Sequence, residues 1–109
     1  MRRVVLESPY AGEVDFNVEY ARACVRDAVM RGEAPLASHL LYTQPDILRD
    51  DVPAERDLGI TCGHVWIPFA EAVVVYTDRG ISSGMLSGMN AAYRCGVPVE
   101  TRQLGSPWS

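Results

Sequence analysis

Cysteine is scarce in this chain: Cys24, Cys62 and Cys95 are odd in number and scattered. That excludes a disulfide framework, and their apolar surroundings fit buried free thiols in a reducing compartment. Histidine is scarcer still. His39 and His64 are the only two, and Cys62-Gly63-His64 is spaced too tightly for the usual zinc pairs, so no metal site is expected. Positive charge is also short: the formal net charge is −4, and Met1-Arg2-Arg3 is the only basic cluster. A nucleic-acid backbone or an anionic membrane surface would repel such a chain. There is no apolar run long enough for a signal peptide or a membrane span, because residues 4 to 7 are followed at once by Ser8-Pro9. The expectation is a cytoplasmic protein that partners neither nucleic acid nor membrane. No internal repeat or low-complexity segment is visible.

What is present is enough for one core. The 109 residues are 48% apolar and 22% charged, which fits a single domain over residues 1–104 with a C-terminal tail at 105–109. Arg3 to Glu7 has the look of a short buried strand, ended by the turn formers Ser8-Pro9-Tyr10-Ala11-Gly12. From Asp15 to Met30 the apolar positions Val18, Ala21, Val25, Ala28 and Val29 recur at helical spacing, and Arg31-Gly32 supplies a stop. Ala34 to His39 reads as a second strand, with Pro35 near its start, where a missing N–H is tolerable. Leu40 to Asp51 reads as a loop with one helical turn at most. Pro53 sits where a second helix begins, after Asp50-Asp51 as caps and with Glu55 in the first turn; a break is expected near Pro68. Ala72 to Tyr76 is a continuous β-branched run, as in a strand covered on both faces of a parallel sheet. A third helix over Gly84 to Arg94 and a last strand over Val99 to Leu104 complete the alternation. It predicts an α/β three-layer domain with a mainly parallel sheet of four to five strands.

In open α/β sheets ligands collect beyond the carboxyl ends of the strands, where loops enter helix N-termini. Polar residues gather at that edge here: Ser8, Tyr10 and Gly12 after the first strand, Ser38 and His39 after the second, Asp78, Ser82 and Ser83 after the third. Each has two readings. Gly12 allows a ligand close to the backbone or only eases a turn. Asp78 accepts from sugar hydroxyls or caps its own turn. Ser82 or Ser83 holds a phosphate with the helix amides or is simply an N-cap. His39 is a donor to a ligand or a histidine satisfied at the strand edge. The Ser-x-Gly pattern has neither the flanking glycine of a nucleophile elbow nor a phosphate-loop lysine. Gly84 and Gly88, four apart, let the third helix pack close to the sheet.

The segments Ser8-Pro9-Tyr10-Ala11-Gly12, Asn17 with Ala21, Pro35 to Tyr42, Glu55-Arg56, Val74 to Gly88 and Gly96-Val97-Pro98-Val99-Glu100 resemble the small phage and bacterial domains DUF7768 and DUF4406. Both are similar to the nucleoside 2-deoxyribosyltransferase superfamily. The resemblance implies a flavodoxin-like, Rossmann-like fold, paired subunits, no cofactor, and a pocket for a nucleoside or its monophosphate. It adds Asn17, Gly84 and Met85 to Ser8, Tyr10, Gly12, His39, Ser82 and Ser83 as ligand-binding residues. The superfamily's enzymes attack the sugar with a glutamate in a Gly-x-Glu-x-Gly setting, a carboxylate suiting an oxocarbenium-like transition state. The matching segment is Gly84-Met85-Leu86-Ser87-Gly88, so Leu86 stands where the nucleophile would be.

Three functions follow as expectations. One is a nucleotide- or nucleoside-binding protein without the usual nucleophile. Another is an active nucleotide N-glycosidase or deoxyribosyltransferase with Asp78 or Glu55 as its catalytic carboxylate. A third is an oligomeric scaffold that pairs through Trp66, Ile67 and Phe69 and has no small-molecule ligand. A homodimer or larger homo-oligomer is expected.

Overall fold

The computed structural model describes residues 1–109. Four strands, β1 (Arg2–Glu7), β2 (Glu33–Leu36), β3 (Ala72–Tyr76) and β4 (Val99–Arg102), form one all-parallel sheet in the order β2-β1-β3-β4. This is the flavodoxin-like α/β arrangement expected from the alternation of elements. The central pair sets Val4 opposite Ala72 and Glu7 opposite Val75. Every residue of β3 is buried, because helices cover both faces of the sheet.

The alternation of side chains along each strand divides the core in two. On one face Val4, Leu6, Val74 and Tyr76 pack with Tyr20, Cys24 and Ala28 of helix α1 (Val14–Met30). On the other, Val5, Val73 and Val75 pack with residues of the chain's last helix, Met85, Met89 and Ala92, and with Ile67. The buried stripe of α1 runs through Asn17, Tyr20, Ala21, Cys24 and Ala28, while Val29, expected on it, is exposed. The two polar members are buried because their polar atoms are satisfied. Asn17 Nδ2 donates to the carbonyls of Tyr10 and Ala11, and the Tyr20 hydroxyl donates to Asp78.

The second strand is shorter than the sequence predicts. β2 stops at Leu36, and Ser38 and His39 begin a one-turn helix, α2 (Ser38–Leu41), in which the amides of Leu40 and Leu41 both donate to Ala37. Helix α3 (Pro53–Trp66) starts at the expected proline, but its N-cap is Val52. Asp50 and Asp51 instead pair with Arg56 and Arg49. The helix gives way to a 3-10 turn over Ile67–Phe69, the break expected near Pro68. Helix α4 (Ser83–Cys95) is capped by Ser82, whose hydroxyl accepts from the Met85 amide, and ends on left-handed Gly96.

On the α1 side, Arg2 and Arg102 both donate to Glu33 and to Glu100, an ion network that ties both edges of the sheet to its centre. The C-terminal tail is docked as well. Asp78 accepts from the amides of Leu104 and Gly105, and Trp108 lies against the rings of Phe16 and Tyr20. The three cysteines are free, but only Cys24 is buried; Cys95 is exposed and Cys62 is half-buried, since they fall on outer helix positions. No helix is long and apolar enough to cross a membrane.

Candidate functional site

The carboxyl end of β1 opens into a cavity of about 120 Å³, walled by the β1–α1 loop, α2 with the segment after it, one face of α3 and the first turn of α4. The parallel topology puts it there. All four strands point the same way, so the loops that leave β1, β2 and β3 emerge at one edge of the sheet.

Seven of the nine expected ligand-binding residues meet in this cavity: Ser8, Tyr10, His39, Ser82, Ser83, Gly84 and Met85. Gly12, at a positive φ of 98°, lines an adjoining open groove that shares Tyr10 and Glu55 with the cavity. Asn17 lies behind the wall, shaping the loop through its bonds to Tyr10 and Ala11. Glu55 lines the cavity and accepts from the Arg49 amide. Asp78 does not. Its carboxylate is engaged by the Tyr20 hydroxyl and the Leu104 and Gly105 amides, which, despite its burial, leave its pKa below the ordinary carboxylate value. The residue expected to carry chemistry instead clasps the C-terminus.

Ser8 and His39 share a hydrogen bond of 2.6 Å between Oγ and Nε2. Burial pushes the His39 pKa down to about 4, so the imidazole is neutral at physiological pH. His39 stands in α2 rather than at a strand edge, and Thr43 Oγ1 holds that turn by donating to its carbonyl. Farther along α3, His64 also has a lowered pKa, from burial first and Arg94 second. At the α4 N-terminus the amides of Ser83 and Gly84 make no hydrogen bond within the chain, so two donors at the positive end of a 13-residue helix face the cavity. Arg56 lines it too, paired with Asp50 at 3.4 Å.

Among the lining residues that the sequence did not single out, one carries a carboxyl on the sheet itself. Glu7, the last residue of β1, is on the α4 face of the sheet, and its carboxyl rests against Gly88, where an added Cβ would stand 2.7 Å from Glu7 Cδ. It makes no hydrogen bond to the protein, and burial alone drives its pKa up to about 8. The signal was present as an acid closing an otherwise apolar strand just before Ser8-Pro9. Arg56, Ile60 and His64 were legible too, four apart along one face of α3. Leu86, by contrast, lies on the outer side of α4, half exposed and away from the cavity, while Met85 faces inward. No cluster of three or more His, Cys, Asp or Glu side chains is placed to hold a metal ion.

In fold the chain is similar to the 2-deoxyribosyltransferase of the psychrotolerant bacterium Bacillus psychrosaccharolyticus, with a TM-score of 0.64 over 95% of this chain and 74% of that one, at 19% sequence identity. No curated protein sequence matches it. The domain of unknown function DUF7768 matches residues 2–102, nearly the whole of what has been described, and the chain belongs to that family.

Proposed function

We propose that the chain is a nucleoside- or nucleotide-binding protein of the 2-deoxyribosyltransferase-like type. The observation that carries this reading is the convergence, at the carboxyl end of a parallel sheet, of the neutral Ser8–His39 pair and the free amides that open α4. Such an edge suits a ligand with an uncharged hydrogen-bonding part and at most a modest negative charge. The charges of the lining weigh against a polyphosphate, because Asp50 neutralises Arg56 and Glu55 adds a further carboxylate. The fold of the Bacillus enzyme supports a nucleoside as the class of ligand. No carboxylate on α4 faces the cavity, so binding proceeds here without the superfamily's usual nucleophile. A cytoplasmic setting and paired subunits belong to the same reading, the first supported by three free cysteines.

A catalytic reading survives on Glu55 alone, since it is the expected catalytic carboxylate that lines the cavity. One experiment separates the two. The protein is titrated calorimetrically with the four common deoxynucleosides and their 5′-monophosphates, and the mixtures are assayed for free base. Saturable binding without base release is the expected result, and Asp78→Asn should bind as the parent does. Base release that disappears in Glu55→Gln would replace binding with N-glycoside cleavage, and absence of binding to every probe would end both readings.

A further inference from the structure

The geometry points to Glu7 as a ligand-contacting residue that presents a hydroxyl donor and a carbonyl acceptor side by side, and so selects an uncharged ligand group offering the matching pair. The assignment rests on the nucleoside-binding reading. Glu7 is delivered by the most constrained part of the fold, the inner strand β1, between β2 and β3. Its neighbour Ser8 is committed to His39, and Gly88 of α4 lacks the side chain that would fill the space its carboxyl occupies. The residue is half-buried, its carboxyl has no hydrogen-bond partner in the chain, and it opens onto the cavity. With no partner in the chain, the hydrogen-bonding capacity of such a group is left to whatever enters the cavity, and water or a ligand must meet it there.

No cation in the lining pairs with it. Arg56, the one arginine there, is on α3 and engages Asp50; His39 is bonded to Ser8, and His64 makes no bond to Glu7. With no cation to hold it ionised, the carboxyl stays protonated near neutral pH. In that form it matches any uncharged edge with a donor beside an acceptor. A nucleobase has such an edge, and so do the hydroxyls of a sugar.

The test uses deoxyadenosine, deoxycytidine, their free bases and 2-deoxyribose as probes against the parent protein, Glu7→Gln and Glu7→Ala. Glutamine keeps a donor beside an acceptor without a titratable proton. The expected result is affinity for the deoxynucleosides within about threefold of the parent in Glu7→Gln and at least tenfold weaker in Glu7→Ala, the loss of hydrogen bonds to a buried group. If the free bases share the loss, the matched edge is the base; if only 2-deoxyribose shares it, the edge is the sugar's. Unchanged affinity in Glu7→Ala, or equal loss in both variants, would overturn the assignment. Binding by none of the three proteins would instead remove the nucleoside reading, and the assignment with it. A melting curve for each variant shows that it is folded, and Glu7→Gln should melt no lower than the parent.

Discussion

Glu7 and His39 titrate with opposite consequences for stability, and their pH ranges overlap. In the folded chain Glu7 keeps its proton up to about 8, against 4.5 for an exposed glutamate, so the folded state binds the extra proton between those values and stability falls as pH rises. His39 loses its proton at about 4 when folded and 6.5 when exposed; there the unfolded state binds the extra proton, and stability rises with pH. From 4.5 to 6.5 these two slopes cancel, and the lowered pKa of His64 adds a rise toward 6.5. Between 6.5 and 8 Glu7 acts alone and removes about 2 kcal/mol, at roughly 1.4 kcal/mol per pH unit. At the acid end Glu33, held down to about 2 chiefly by Arg102 and then by Arg2 against its own burial, contributes stability that is complete above 4.5 and is lost as pH falls through 2. Urea midpoints should therefore change little or rise from about pH 4.5 to a maximum near 6.5 and decline toward pH 8. In Glu7→Gln that alkaline decline should vanish; a decline that persists would place its origin elsewhere.

Helix α4 joins packing to the cavity through one position. Of the glycines read as a close-packing pair, only Gly88 meets the sheet, while a Cβ on Gly84 would find nothing nearer than 4.0 Å. Gly88→Ala adds a residue that favours helix by about 1 kcal/mol. Its new methyl would force the Glu7 carboxyl to swing away, a cheap motion for the end of a flexible side chain. The expected outcome is a melting temperature equal to or above the parent's, with deoxynucleoside affinity reduced at least tenfold in the same calorimetric assay. A stable variant with intact affinity would uncouple the helix from the site. The cap of α4 was legible, because a serine before a helical pattern has a local reason to be there. Helix α2 was not, because Ala34 to His39 is a short apolar run closed by two polar residues and reads as one strand. The contact that goes with the turn is tertiary and distant in sequence: Ser38 lies so close to Gly63 of α3 that a side chain there would collide with it.

For the whole molecule, an outward stripe of apolar residues predicts self-association. Leu58, Val65, Trp66 and Phe69 are 56%, 61%, 49% and 67% exposed, while Ile67 between them is buried in the core. A row of this kind is unusual on a solitary subunit. Light scattering should return at least twice the mass of the chain, and Trp66→Ser with Phe69→Ser should return the single mass; a parent protein of single mass would refute pairing. The sheet was legible at this scale because β-branched runs alternate with helical stripes. Asp78 was misplaced because the sequence puts it at the ligand edge, and nothing local reveals that Leu104 and Gly105 return to claim it. The same return of distant segments governs how the chain acquires its shape. Val4 finds Ala72 across more than half the sequence, and no adjacent hairpin exists to start the process. Loop closure must precede reward, which makes for slow acquisition of structure, and a nascent polypeptide lacking β3 has nothing to set on one flank of its first strand.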